Sequence, residues 1–216
     1  MSVLDARPAT AQEAVAAALR QAIVERELRP GDRIRQEELA QRLGVSVIPV
    51  REALKVLEGE GQVTYAPRQG YTVARLDLAA LAEVYRLREL LEAEAVRAAM
   101  PHLADADVEE IAAEFAEVSG ALAAGRLSDA MAANRRAHFR LFEVARMPVL
   151  LRHVRMLWDA TQAYRALYYN EAARRAAVDR EHRQILAALR RRDAERVLAL
   201  LDAHRRHALA ALADVL

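Results

Sequence analysis

The sequence predicts a mainly α-helical protein in two parts, on three observations. Apolar residues recur at steps of three and four along most of its 216 residues. Alternation of the strand type is confined to two short segments between residues 62 and 73, and no strand or hairpin signal follows Asp77.

The elements follow in order. A long amphipathic helix turns Val15, Leu19, Ala22 and Ile23 inward and is stopped by Pro30-Gly31-Asp32. A shorter helix carries Leu39, Ala40 and Leu43, and Gly44 with Val45 supplies the tight turn after it. The next helix is expected to be capped by the Ser46 hydroxyl, to accommodate Pro49 in its first turn and to run to about Glu60. Its apolar stripe is Val50, Ala53, Leu54 and Leu57, which leaves Ile48, Arg51 and Lys55 on the other side. The spacing of these two helices is that of a helix-turn-helix, whose second helix enters the major groove of DNA. Gln62–Tyr65 and Tyr71–Val73, joined through Pro67-Arg68-Gln69-Gly70, read as a hairpin with a basic tip. Helix-turn-helix and hairpin together make a winged helix-turn-helix domain over residues 1–76.

After the short Ala74-Arg75-Leu76 connection, Asp77 caps the first of about six helices, expected at 78–100, 105–124, 128–146, 148–169, 171–191 and 193–215. Pro101, Gly125, Pro148, Asn170 and Asp193 separate them. The second part, residues 77–216, is therefore an all-α antiparallel helical bundle.

Composition sets limits on function. No cysteine occurs, which excludes disulfide scaffolds and thiolate metal sites. No stretch approaches the ~20 apolar residues that span a bilayer and the N-terminus lacks an apolar leader, so a cytoplasmic protein without a membrane partner is expected. The formal net charge of +1 is no sign of nucleic-acid binding by itself. The clustering of Arg33, Arg35, Arg51, Lys55 and Arg68 in the first part is more telling than the total. Each of these cations could equally be a solvated surface charge, but Arg51 projects from the recognition helix and Arg68 from the wing.

The first third of the chain resembles the DNA-binding domain of the GntR family of bacterial transcription regulators. The residues that carry the likeness are Leu28–Arg33, Glu38–Gly44, Pro49–Leu54 and Leu57–Gly61. The resemblance implies DNA contacts from Arg33, Arg35, Ser46, Val47, Ile48, Arg51, Lys55, Arg68 and Gly70. One departure bears on the operator: Val47-Ile48 stands where the family usually has Arg-Thr. These side chains cannot make the bidentate contact to guanine that Arg makes, though they can touch a thymine methyl.

In the bundle, polar residues interrupt the apolar stripes. Met131, Asn134, His138, Leu141 and Ala145 share one helix face, as do Val178, His182, Ile185 and Leu189, and again Val197, Leu201, His204, Ala208 and Leu212. Three histidines and one amide therefore point inward from three helices. A buried histidine satisfied by hydrogen bonds is the plainer reading for any one of them. Several imidazoles buried on facing helices favour a metal site, since burying each without a partner is costly. His102, His153 and His207 lie off these stripes, with His207 a candidate to support a ligand from outside.

The bundle resembles the FCD ligand-binding domain of the FadR-type branch of the same family, through Tyr85–Glu92, Asn134–His138, Glu181-His182 and Asp202–His204. That likeness implies a divalent cation held by Asn134, His138, His182 and His204 and contacting an effector, with Asn134 where many members carry Asp. Nitrogen-rich ligation leaves Zn²⁺, Ni²⁺ and Mn²⁺ as candidates. Three imidazoles and an amide bring no negative charge, so the ion would call for an anion. Arg88 and Arg165 are the candidates to hold a carboxylate in bidentate fashion, an ion pair between helices or in a dimer being the alternative for each.

The expected function is thus that of a homodimeric, non-enzymatic transcription regulator that binds a palindromic DNA operator and senses a small carboxylate. A metal-dependent hydrolase is a rival, weakened because the inward-facing set shows no carboxylate to act as general base. A constitutive DNA binder with a merely structural bundle is another.

Overall fold

The computed structural model describes residues 10–169 and 172–213, and the chain divides into two compact units between Arg75 and Leu76. In the first unit, α1 (Ala11–Val24) starts at Thr10, whose hydroxyl accepts the Glu13 N–H while the Glu13 carboxylate accepts the Thr10 N–H. This reciprocal cap satisfies two donors that the first turn would otherwise leave open. Val15, Leu19, Ala22 and Ile23 are buried, as their spacing requires.

Helices α2 (Gln36–Leu43) and α3 (Val47–Gly59) are joined through Gly44, whose φ of 67° is a left-handed conformation that glycine adopts without a Cβ penalty. Val50, Ala53, Leu54 and Leu57 of α3 are fully buried. Ser46 precedes α3 with extended backbone, but its hydroxyl makes no capping bond, contrary to expectation. A capping oxygen accepts from the second or third helical N–H, and the third residue here is Pro49, which has none, so Ile48 is left as the one donor a cap at Ser46 could use.

The wing is β2 (Val63–Ala66) paired antiparallel with β3 (Gly70–Val73), with Tyr65 opposite Tyr71 and Val63 opposite Val73. A third strand, β1 (Arg33–Ile34), pairs with the other edge of β3, Arg33 opposite Thr72, giving the order β1-β3-β2. Two residues are too few to show a period, which is why β1 is invisible in the sequence.

The second unit comprises α4 (Leu78–Ala99), a 3₁₀ turn at Met100–His102, α5 (Asp105–Ala123), α6 (Leu127–Glu143), α7 (Pro148–Ala160), α8 (Gln162–Tyr168), α9 (Ala172–Arg190) and α10 (Ala194–Ala213). Asp77 caps α4 by accepting the Ala80 N–H at 2.8 Å. The separation expected at Asn170 lies outside the described residues. The helix expected over 148–169 is two helices. Thr161 Oγ1 donates to the carbonyls of Leu157 or Trp158, both at 3.2 Å, and Arg165 Nη2 donates to the Trp158 carbonyl at 3.0 Å. Side chains thus serve the carbonyl that a continuing helix would use, and the chain breaks there. Helix α4 packs on α7 and α10, and α5 on α6 and α9, around Ile111, Phe142, Trp158, Ile185 and Leu189.

Candidate functional site

Helix α6 sets Asn134 and His138 one turn apart, α9 contributes His182 and α10 His204. Asn134, His138 and His182 are buried and His204 nearly so. The three imidazoles converge: ring centroids lie 6.0 Å apart for His138 and His182, 5.7 Å for His138 and His204, and 5.2 Å for His182 and His204. One nitrogen from each falls within 4.8 Å of those of the other two. Phe115 stacks on His182 at 4.1 Å, and Trp158 lies 5.1 Å from His138, so the surroundings are aromatic and dry.

The buried polar atoms of this cluster want partners. Among the described residues, Asn134 Oδ1, His138 Nε2 and both ring nitrogens of His182 have none. Leaving such atoms unserved costs about 1–3 kcal/mol each, so a shared ligand is the economical solution. Desolvation, with His204 next in effect, pushes the pKa values of His138 and His182 well below the ordinary histidine value. Neutral imidazole is the form that binds a metal. The donor set fits a divalent ion.

Beside it lies a second cluster that the sequence only half disclosed. The Glu92 carboxylate is buried and accepts three bonds, from Arg88 Nε at 2.8 Å, Trp158 Nε1 at 2.7 Å and Arg205 Nη1 at 2.7 Å. Burial would raise its pKa, but Arg88 and Arg205 hold it below the usual carboxylate value. The guanidinium carbons of Arg88 and Arg165 stand 4.4 and 4.2 Å from the Trp158 ring. Arg165 pairs with no carboxylate among the described residues, and its Nε is buried without a partner. Burial lowers the Arg165 pKa to about 9, which leaves it charged near neutrality. Three buried guanidiniums thus gather near one carboxylate, and two of them pair with it. Tyr85, whose hydroxyl is also unpartnered, Asn134, His138, His204 and the three arginines line one cavity.

On α10 side, Glu181 accepts from His204 Nδ1 at 2.6 Å through one oxygen and from His207 Nδ1 at 2.7 Å through the other. Burial raises the Glu181 pKa, while the His204 and His207 bonds outweigh it and bring the value below the usual one. His102 and His153 are exposed, apart from the cluster.

In the first unit, Ser46, Ile48, Arg51 and Lys55 lie on the exposed side of α3, with Val47 half-buried at its start. Ile48 is 67% exposed. Arg51 Nε donates to Gln36 Oε1 at 3.0 Å. Arg68 and Gly70 form the wing turn, both with positive φ, 67° and 82°. Arg33 is exposed on β1, and Arg35, just before α2, pairs with Glu38 at 2.8 Å. Among the described residues, Arg33, Arg51, Lys55 and Arg68 make no ion pair.

Two stretches of the chain match known families. Residues 11–73 match the bacterial regulatory proteins of the gntR family, and residues 83–207 match the FCD domain. The chain belongs to the GntR family. It is 32% identical to the HTH-type transcriptional regulator McbR of Escherichia coli, over 78% of this chain and 77% of that protein. To the Nta operon transcriptional regulator of Aminobacter aminovorans it is 31% identical, over 82% of each. The solved structure of E. coli McbR/YncC superposes with a TM-score of 0.81 at 27% identity, covering 95% of this chain and 98% of that one. A Rhodococcus GntR regulator at 21% identity shares the fold, with a TM-score of 0.80 over 95% of this chain and 98% of that one.

This GntR chain is therefore a transcription regulator with an FCD domain, and none of its described helices is long and apolar enough to cross a membrane. Its FCD unit adds a carboxylate, Glu92, to the inward-facing set, one that Arg88, Trp158 and Arg205 engage rather than leave as a general base. Arg205, too, was overlooked, as was Glu181. Sequence signals existed for two of them. Glu92 follows Arg88 by four residues and Arg205 follows Leu201 by four, which keeps each on its helix's inward face.

Proposed function

We propose that this regulator is a homodimer that binds a palindromic operator through its winged unit and senses a small organic acid through a divalent ion held by Asn134, His138, His182 and His204. The observation that carries this reading is the convergence of Asn134, His138, His182 and His204, several of their buried donor atoms unpartnered among the described residues, beside a cavity with an excess of buried guanidinium. A bound divalent ion would bring a double positive charge that the amide and imidazole donors do not offset and that Glu181, behind His204, balances only in part, and hence an attraction for an anion. Arg165 is the better placed of the two arginines to receive a carboxylate. Arg88 is already committed to Glu92 within its own helix, whereas Arg165 has an unpartnered Nε and the Tyr85 hydroxyl lines the same cavity.

The exposed cations of β1, α3 and the wing, with Arg35 just ahead of α2, support DNA contact, with Arg51 and Ile48 toward base edges and Arg33, Arg35, Lys55, Arg68 and the Gly70 backbone toward phosphates. Ser46, with its hydroxyl unspent on the helix, joins them. Such a role belongs in the cytoplasm. Catalysis by the bundle is disfavoured because both nearby carboxylates are engaged, Glu92 by two arginines and Glu181 by two histidines. Neither stands free as a general base.

Coupling to DNA has a structural candidate. Arg165 and Tyr164 are neighbours on α8, and Tyr164 holds the backbone of Leu76, where the FCD unit begins. An anion drawing on Arg165 would bias α8 and, through Tyr164, the connection to the winged unit.

The test uses anisotropy with an operator duplex, applied to metal-loaded and chelator-stripped protein across a panel of small carboxylates. The expected result is that one acid shifts operator affinity only in loaded protein. A shift that survives complete removal of the metal would sink the metal-dependent reading.

A further inference from the structure

We propose that Glu181 is the positioning residue of the metal site: its carboxylate fixes the orientation and tautomer of His204, and His207 secures that carboxylate from the solvent side. The inference rests on the metal reading above but concerns groups outside the ligand set.

The three histidines are not equivalent. Both nitrogens of His182 are unpartnered, whereas His204 is already held by one. Its Nδ1 lies 2.6 Å from Glu181 Oε2. A carboxylate can only accept, so the proton of that bond sits on His204 Nδ1 and the lone pair is left on Nε2. Nε2 is then the atom available to an ion. A carboxylate behind a ligand histidine also raises its basicity.

The arrangement follows from helix geometry. Glu181 and His182 are consecutive on α9, so one reaches across to α10 while the next points into the core. His204 and His207 are three apart on α10 and present adjacent imidazoles to the two oxygens of one carboxylate. His207 is 63% exposed and Glu181 15%, so the clasp closes the site from its outer side. Glu181 further supplies what Asn134 does not, a negative charge in contact with the donor set. Glu92, the other nearby carboxylate, is consumed by its own arginines.

The experiment has two readouts. Two-bond ¹H–¹⁵N correlation on metal-free protein near neutral pH reads the His204 tautomer, and chelator competition with Zn²⁺ or Ni²⁺ reads affinity. Wild type should show the Nδ1–H form alone. Glu181→Gln, nearly isosteric and checked by circular dichroism, should admit the other tautomer, because an amide can donate as well as accept. Glu181→Gln and Glu181→Ala should each weaken metal binding about 10–100-fold, the usual cost of losing such a partner, and His207→Ala should weaken it less. An Nε2–H form in wild type, or wild-type affinity in Glu181→Ala, overturns the proposal alone. A wild type that takes up no ion overturns the metal reading as well.

Discussion

The hydroxyl of Tyr164 on α8 grips both backbone polar groups of Leu76, accepting its N–H at 2.6 Å and facing its carbonyl at 3.2 Å. One phenol, buried to the ring, thus fixes the residue at which the FCD unit begins, and its chain neighbour Arg165 lines the cavity beside the histidines.

Tyr164→Phe keeps the ring in the core but releases Leu76. Operator affinity without effector should change little, while the shift caused by an effective carboxylate should shrink from the 1–3 kcal/mol typical of allosteric coupling toward zero. Anisotropy with and without the acid, alongside calorimetry for acid binding, measures both. A full response in the variant removes Tyr164 from the coupling.

The proposed metal site predicts that each donor is needed on its own. His138→Ala, His182→Ala and His204→Ala should each lose the ion from purified protein, and Asn134→Asp should bind it more tightly by adding a negative charge to a neutral set. Elemental analysis and chelator competition decide, and an unchanged metal content in all three alanine variants would refute the assignment.

Removing the charge of Glu92 leaves Arg88 and Arg205 buried without their counter-ion. Glu92→Gln should cost about 3–5 kcal/mol of stability, read from chemical denaturation. A loss below about 1 kcal/mol would mean that water or a bound anion already screens the arginines.

Metal-free protein should weaken in mild acid. The folded pKa values of His138 and His182 lie well below 6.5, so the unfolded chain takes up protons first as pH falls. Stability is complete above pH 6.5 and declines below it by up to about 1.4 kcal/mol per pH unit for each histidine. Glu92 and Glu181, with lowered pKa values, add losses only below about pH 4.5. Denaturation midpoints at pH 7.5, 6.0 and 5.0 test the sign. A flat profile down to pH 5 would contradict burial of two neutral imidazoles.

On DNA, Arg51→Ala should lose about 1–3 kcal/mol on the cognate operator and relax preference at one base pair. Arg68→Ala should weaken all duplexes alike and flatten the salt dependence. Titrations on operator and scrambled duplexes separate the two, and unchanged specificity in Arg51→Ala would exclude a base contact.

Most of the architecture was legible because helical periodicity spans many residues: the stripes of α1, α3, α6, α9 and α10 are read directly from Val15 to Leu212. What failed was local and cooperative. The break at Thr161 depends on Thr161 and Arg165 bonding the Trp158 carbonyl, a competition that no periodic pattern registers. Ser46 makes no capping bond, and Pro49 in the sequence already removes one of the two N–H groups such a bond could use. The histidine cluster was visible as inward-facing polar interruptions. Of its charged surroundings Arg88 and Arg165 were legible, and Glu92 and Arg205 kept helical register with inward residues, but the pairing of these charges was not, and Glu181 resembles an ordinary surface residue in a chain rich in both signs. Their roles arise only when separate helices bring opposite charges together.

The bare aliphatic tip of α3 has a consequence for what kind of mark on DNA this protein can notice. A base contact through Ile48, if the proposed DNA reading holds, would respond to the carbon at position five of a pyrimidine and not to its hydrogen-bonding edge. Uracil in place of thymine would remove that contact while keeping the base pair. Cytosine methylated at the same carbon would present the contact again. Chemical marking of the operator, and not only its sequence, would then enter the affinity.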